Sequence, residues 1–323
     1  MKAPILLVSA CMLTTGAAFA QNNQSDVLQE GISNRATVQQ VGRSNSALLE
    51  QTKYGNASTE YNVATISQTG NNNTAKLVQE AQAVSNTASI AQNGNDNSAK
   101  QTQGNYAYSN SAIIEQNGNS NSATQSQVSP TGNKTNNAAL AYQEGNYNVT
   151  VQRQFGGNYN TAEVSQYGDN NNVYQLQNGS SNYATIEQIG NHNTADQRQF
   201  NGEHSAIIAQ TGNGNVHIQD QETRTLRNTA TAVAVGDDNY GYQQQASRSN
   251  SSEIYQTGNN NYATSVQAGL AYFELGNNYN QTIQTGDYNR AETQQNGMNH
   301  VSNIVQHGNN NTATVTQSGR LLQ

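Results

Sequence analysis

The sequence predicts an all-β fold, a two-sheet β-solenoid of about twelve strand-arc-strand repeats that stack in register as cross-β structure. Three observations lead there. One motif recurs twelve times along the 323 residues, the residues between its fixed points alternate with period two, and the composition does not suit a conventional globular core.

The motif is clearest in Gln68-Thr69-Gly70-Asn71-Asn72-Asn73-Thr74-Ala75, with Gln79 four residues on, and reads Q-x-G-x-x-N-x-A-x-x-x-Q. Its Gly slot is filled at Gly42, Gly70, Gly94, Gly118, Gly145, Gly168, Gly190, Gly212, Gly236, Gly258, Gly286 and Gly308. The Asn slot holds Asn45, Asn73, Asn97, Asn121, Asn148, Asn171, Asn193, Asn215, Asn239, Asn261, Asn289 and Asn311. The first Gln slot holds Gln40, Gln68, Gln92, Gln116, Gln143, Gln166, Gln188, Gln210, Gln256, Gln284 and Gln306, and fails once, at Ala234. The second holds Gln51, Gln79, Gln103, Gln127, Gln154, Gln177, Gln199, Gln221, Gln245, Gln267, Gln295 and Gln317.

Successive glycines are 22 to 28 residues apart, and every extra residue falls between the second Gln and the next repeat. One turn is therefore of fixed length and the other tolerates insertion. The shortest spacing shows that the unit is itself double, because Gln177-Asn178-Gly179-Ser180-Ser181-Asn182-Tyr183-Ala184 repeats the arc where insertions occur elsewhere. Gln29 to Ala36 does the same at the start.

Each strand follows from alternation. In Ala64-Thr65-Ile66-Ser67-Gln68 the first, third and fifth residues share a face, so the first strand buries Ala, a β-branched residue and Gln. The second strand reads Ala-x-Leu-x-Gln or Ala-x-Gln-x-Gln, as in Ala47, Leu49, Gln51 and Ala99, Gln101, Gln103, with a more polar inner face. An isolated buried amide costs roughly 1–3 kcal/mol in lost hydrogen bonds. In an in-register stack each amide donates to one neighbour and accepts from the other, so a regular inward Gln implies regular stacking. Gly supplies a positive φ in the arc, and Asn is the next best residue for such a turn.

Composition narrows the class further. Hydrophobic residues make up 33% and charged residues 11%, Trp is absent, and Pro130 is the only proline after Pro4. Disordered chains are usually richer in charge and proline, and scarce proline leaves N-H groups free for sheet ladders. A net charge of -7 with few Lys and Arg does not suit a nucleic-acid partner. The start reads as a signal peptide over residues 1–20, with Lys2, an apolar Ile5 to Leu13, and an A-x-A site that places cleavage between Ala20 and Gln21. Cleavage would remove Cys11, the sole cysteine, and with it any disulfide. Residues 21–33 form an N-terminal polar segment, 34–319 the repeat core, and 320–323 a C-terminal tail.

The repeat resembles that of the curlin family, subunits of bacterial curli fibres, whose signature is S-x5-Q-x-G-x-x-N-x-A-x3-Q. Asn62 to Gln79 matches it with Asn in the Ser slot, and the resemblance runs from about Asn34 to Gln317. It implies a secreted structural subunit of an extracellular, cell-surface amyloid fibre in the biofilm matrix of a Gram-negative-type bacterium, serving adhesion. The partners it implies are further copies of the chain, a second curlin subunit acting as nucleator or co-polymer, an outer-membrane curli secretion channel and periplasmic accessory proteins. By position, residues 21–33 correspond to the family's export-targeting segment. Mostly Asn in the Ser slot, and more repeats than the familiar subunits, leave open whether the chain is the major or the minor, nucleating subunit.

The competing reading is a capped monomeric β-solenoid adhesin. The pattern begins by Gln29 and still runs at Gln317-Ser318-Gly319, so an uncapped stack with open edges is the expectation. No enzyme is expected, for no motif residue is a nucleophile, a base or a metal ligand. Glu115, Glu163, Glu187 and Glu253 fall on different strands, Asp169, Asp237 and Asp238 in arcs, and His192, His204, His217, His300 and His307 lack ligand spacing. No cofactor is implied. Tyrosines in and beside the arcs, such as Tyr147, Tyr159, Tyr183, Tyr240, Tyr262 and Tyr288, suit either laddering or surface adhesion.

Overall fold

The computed structural model describes residues 22–53, 59–105, 107–129, 135–222, 227–269 and 276–319. The expected signal peptide and its cleavage site lie outside these residues. The described chain divides into two compact units. The first runs to Tyr147 and includes Gln152–Asn158; the second takes Asn148–Val151 and the described residues from Tyr159 onward.

Unit 1 contains β1 (Gln24–Gln29), β2 (Arg35–Arg43), β3 (Ser46–Thr52), β4 (Val63–Asn71), β5 (Thr74–Glu80), β6 (Thr87–Asn95), β7 (Ser98–Gly104), β8 (Ser111–Asn119), β9 (Ser122–Val128) and β10 (Ala138–Asn146). β11 (Val149–Phe155) is divided between the units. Unit 2 contains β12 (Thr161–Tyr167), β13 (Asn172–Asn178), β14 (Tyr183–Ile189), β15 (Thr194–Phe200), β16 (Ser205–Thr211), β17 (Val216–Glu222) and β18 (Thr229–Val235). It continues through β19 (Tyr240–Gln245), β20 (Ser251–Thr257), β21 (Tyr262–Ala268), β22 (Tyr279–Thr285), β23 (Arg290–Asn296), β24 (Val301–His307) and β25 (Thr312–Ser318).

Each unit is a two-sheet β-solenoid. In unit 1 the odd strands pair in the order β1-β3-β5-β7-β9 and the even ones in the order β2-β4-β6-β8-β10; in unit 2 the orders are β13 to β25 and β12 to β24. All described pairs are parallel, because consecutive strands of one sheet are separated by a full turn of chain. The register keeps equivalent slots opposite each other, as Ile66 on Ile90 with Gln68 on Gln92, and Ile186 on Ile208 with Gln188 on Gln210. A slip by one residue would turn every Gln outward, so the amides themselves pin the pairing.

β1 precedes the first repeat and pairs with β3, setting Gln29 opposite Gln51. Part of the N-terminal polar segment is thus a strand, consistent with the half-repeat at Gln29 to Ala36.

Between the sheets, the apolar column of unit 1 is built from Leu49, Ile66, Leu77, Ile90 and Ile114, and that of unit 2 from Val164, Val173, Ile186, Ile208 and Ala232. Alanines such as Ala64, Ala184 and Ala206 line the rest, small enough to let the sheets approach. The columns are narrow, and buried amides occupy the remaining inward positions.

The arcs explain why Gly and Asn never fail. Gly190 has φ +117°, and a Cβ there would sit 2.0 Å from the carbonyl oxygen of Gly212 in the next turn. That carbonyl is held in place by Asn193 of the same arc as Gly190, whose Nδ2 donates to it at 2.8 Å. One glycine and one asparagine therefore clasp the following turn. The second left-handed residue of each arc is the one just before the Asn: Ser44, Asn72, Asp96, Ser120, Tyr147, Asn170 and His192 all have φ between 53° and 59°. From residue type, the Asn itself is expected to take the turn conformation. The structure assigns it hydrogen bonding instead, because its side chain must reach the adjacent turn while its neighbour absorbs the bend.

Substitution at two glycines separates conformation from contact. Gly308 also has positive φ, +94°, but a Cβ there would meet nothing nearer than Asn311 Nδ2 at 3.8 Å. Gly308→Ala is expected to cost about 1 kcal/mol for the left-handed backbone alone, whereas Gly190→Ala adds a backbone clash and should cost about 3 kcal/mol or more. Guanidinium midpoints of the two variants measure the difference.

Candidate functional site

The feature with functional chemistry is the set of buried amide ladders. In unit 1, Gln40 Nε2 donates to Gln68 Oε1 at 2.8 Å, Gln68 to Gln92 at 2.8 Å, Gln92 to Gln116 at 2.9 Å and Gln116 to Gln143 at 2.8 Å. On the facing sheet, Gln29 donates to Gln51, Gln51 to Gln79, Gln79 to Gln103, Gln103 to Gln127 and Gln127 to Gln154, at 2.7–2.9 Å. In unit 2 the same chain of bonds runs Gln177, Gln199, Gln221, Gln245, Gln267, Gln295 and Gln317 at 2.8–3.0 Å. All of these bonds point the same way, donor toward the higher-numbered turn.

An amide has two N-H groups, and the second is used across the gap between sheets. Gln68 Nε2 also donates to the Ser46 carbonyl at 3.0 Å, Gln199 to Tyr183 at 2.9 Å and Gln267 to Ser251 at 2.9 Å. Each of these glutamines therefore ties its own sheet along the stack and the opposite sheet across it. That full satisfaction makes a wholly buried amide affordable where an isolated one would be costly.

A third ladder was visible in sequence only as the Ala-x-Gln-x-Gln form of the second strand. Gln101 donates to Gln125 at 2.9 Å and Gln125 to Gln152 at 2.7 Å; in unit 2, Gln175, Gln197, Gln219 and Gln243 follow in series at 2.7–3.0 Å. Gln101 begins its series opposite Leu77, so its Oε1 has no described partner.

The arc asparagines form ladders of opposite sense. Asn193 Nδ2 and backbone N-H both donate to Asn171 Oδ1, at 3.2 and 3.0 Å, and Asn215 does the same to Asn193. Exposed asparagines one residue after the Gly make a further row, Asn71 to Asn95 to Asn119 to Asn146 at 2.9–3.0 Å. In unit 2, Asp237 takes a place in the equivalent row, accepting from Asn213 N and Nδ2 at 2.7 and 3.0 Å.

Three histidines enter this network. His204 and His300 occupy the slot of the second arc usually held by Asn and take over part of its bonding, the backbone N-H to the Asn of the previous turn and Nε2 to the carbonyl four residues back. The His204 N-H donates to Asn182 Oδ1 at 3.1 Å, its Nε2 lies 2.9 Å from the Phe200 carbonyl, and its Nδ1 accepts from the Asn228 N-H at 3.2 Å. A carbonyl only accepts and an N-H only donates, so these contacts require the neutral Nε2-H tautomer. Burial lowers the His204 pKa accordingly.

His217 addresses the one gap in the first Gln ladder. In the even sheet Ala234 lies between Gln210 and Gln256, leaving no amide for Gln210 to reach. His217 fills an Ala slot of the facing sheet, and its Nδ1 accepts from Gln210 Nε2 at 3.2 Å. Its neighbour in register is Gly241, where a Cβ would come within 2.3 Å of the ring. Ala234 and Gly241 are thus small where the imidazole needs room, and Gln256 faces the ring from beyond the gap. Burial pushes the His217 pKa down from 6.5 to about 4, against a smaller upward pull from Gln256.

The tyrosines divide by position. Tyr240 and Tyr262 stack at 5.0 Å between ring centroids, with the Arg290 guanidinium 4.6 Å from the Tyr262 centroid. Tyr147, Tyr159 and Tyr288 lie exposed in arcs. Glu115, Glu163, Glu187 and Glu253 stand on outer faces. Among the described residues, no three His, Cys, Asp or Glu side chains come together as a metal site.

Stacked parallel repeats with a laddered interior define a structural repeat protein of the β-solenoid class. The curlin associated repeat model matches residues 20–52, 157–190 and 176–200. Over those residues the chain is similar to the curlin associated repeat, and the same strand-arc-strand geometry runs through the described turns between and beyond them. No curated protein matches the chain.

Acid should loosen unit 2 through His217. Its folded pKa lies below the unfolded value, so between the two the unfolded chain holds the extra proton. Stability is full above about pH 6.5 and falls as pH drops toward about 4, by about 3 kcal/mol in total. The double variant His217→Ala/Ala234→Gln restores the usual residue in both slots and should lose this dependence. Denaturant midpoints measured from pH 7 to pH 3.5 for both proteins provide the check.

Proposed function

We propose that this protein is a structural subunit of an extracellular curli-type amyloid fibre, self-assembling by in-register β-stacking to form matrix for surface attachment. The observation that carries the reading is the single direction of the Gln ladders. In unit 1, Gln29 and Gln40 start their ladders with acceptor oxygens that no lower turn uses, and in unit 2, Gln306 and Gln317 end theirs with donor nitrogens that no higher turn uses. Among the described residues, β1 and β25 each pair on one side only. Complementary, non-identical edges favour head-to-tail addition, which gives open linear polymers instead of closed dimers.

Edge geometry supports the same reading. The inward residues Ala313, Val315 and Gln317 of β25 are half-buried, whereas their counterparts Ala291, Thr293 and Gln295 on β23 are buried. A further turn would complete their burial. Export through a secretion channel, a second curlin subunit as nucleator or co-polymer, and residence on the cell surface belong to this proposal by family likeness.

The chain, prepared in denaturant and diluted, is expected to form thioflavin-positive fibres that seed their own growth, with reflections at about 4.7–4.8 Å and about 10 Å. A monomer that stays soluble even when seeded would rule the fibre role out.

A further inference from the structure

Beyond β14, whose outward Glu187 lies opposite Ala209, the outer faces of the two sheets of unit 2 differ in charge. On the odd sheet, Asp196, Arg198, Asp220, Glu222, Arg290 and Glu292 all stand outward. On the even sheet from β16 to β24, Glu253 is the only outward carboxylate among the described residues, and no Lys or Arg is present there. Even that carboxylate is engaged within the face, its Oε2 accepting from Gln281 Nε2 at 2.9 Å and from the Tyr279 hydroxyl at 3.4 Å.

The register turns this low charge into an apolar strip. Ala209, Val233, Tyr255, Ile283 and Val305 lie directly opposite one another on successive strands. On one side the strip is flanked by Thr211, Val235, Thr257 and Thr285, on the other by Ile207, Thr231, Glu253, Gln281 and Asn303, and Ile207, Val235 and Val305 are 37%, 45% and 51% exposed. A contiguous exposed apolar patch of this kind marks an interaction surface.

We propose that this face pairs laterally with the same face of a second copy, joining two filaments side by side. Two arguments select that occupant. Charge is the first: from β16 to β24 the even face brings only Glu253 to such a pairing, a carboxylate already bonded within the face, while the odd face would have to desolvate six charged groups, Asp196, Arg198, Asp220, Glu222, Arg290 and Glu292. Area is the second. Five strands about 4.8 Å apart, each about 20 Å long, give roughly 500 Å², short of the about 800 Å² per partner that a stable interface usually buries. A lone molecule therefore gains too little to dimerise, but the patch recurs with every subunit of a filament, and the contacts add along its length. Pairing is thus a property of the polymer, and it rests on the fibre reading above.

Filaments of the wild-type chain, of the triple variant Ile207→Lys/Val233→Lys/Val235→Lys, and of the triple variant Thr264→Lys/Val266→Lys/Gln294→Lys distinguish the outcomes, all six positions lying outward on strands paired on both sides. The second triple adds the same charge to the odd face. Mass per length by dark-field electron microscopy should be twofold lower for the first triple than for the other two proteins, with its seeded elongation rate unchanged. Equal mass per length in all three, or a twofold drop in both triples, would overturn pairing through the even face while leaving the fibre reading intact. Failure of the wild-type chain to form filaments would overturn both.

Discussion

The primary amide of glutamine is the interaction on which the rest of the structure depends. Its two N-H groups and one carbonyl have to be satisfied in an interior cut off from water, and three bonds do so: one from the turn below, one to the turn above, and one across to a backbone carbonyl of the facing sheet. The geometry is demanding. The along-stack bonds form only when identical slots lie one strand spacing apart, and the cross-stack bond only when the sheets stand close. Parallel pairing, constant register and small alanines beside the amides all follow. Hydrophobic burial is present but confined to narrow columns, so register is enforced by the polar core more than by the apolar one.

The arcs serve the ladders by holding successive turns at the spacing that the amides need. Gly190 and Asn193 act as one device, since the carbonyl of Gly212 occupies the space of a missing Cβ and is fastened there by the Asn amide. His204 shows that the chemistry of this slot matters more than its identity, because an imidazole with its proton on Nε2 still accepts from the next turn's N-H and donates to a carbonyl of its own turn. His217 extends the point across sheets: where Ala234 interrupts one ladder, a ring from the facing sheet accepts the stranded Gln210 donor. Both substitutions work only with neutral imidazole, which couples part of unit 2 to pH.

The outer faces answer to different constraints. They contribute little to register, and exposed ion pairs such as Lys76 with Glu50 at 3.5 Å add little stability. Their composition is therefore free to differ between sheets, and beyond β14 in unit 2 it does, with more charge on the odd sheet and more β-branched residues on the even one. A repeat protein of this design can hold its interior constant while its surfaces vary.

Strand positions, the inward set and the fixed arc were legible in the sequence by itself, because each rests on spacing within one turn. Period-two alternation placed Ile66 and Gln68 inward, and the unbroken Gly and Asn slots marked a turn of constant length. Only the tertiary structure decided the direction of the amide bonds, the partnership of each Gln with a carbonyl of the opposite sheet, and the link between His217 and Ala234. These depend on how the two sheets face each other, an offset that spacing along the chain does not encode. The left-handed residue before each Asn was hidden for another reason: Ser44, Asn72, Asp96, Tyr147 and His192 all occupy it, so a backbone requirement met by unlike side chains leaves no chemical signature.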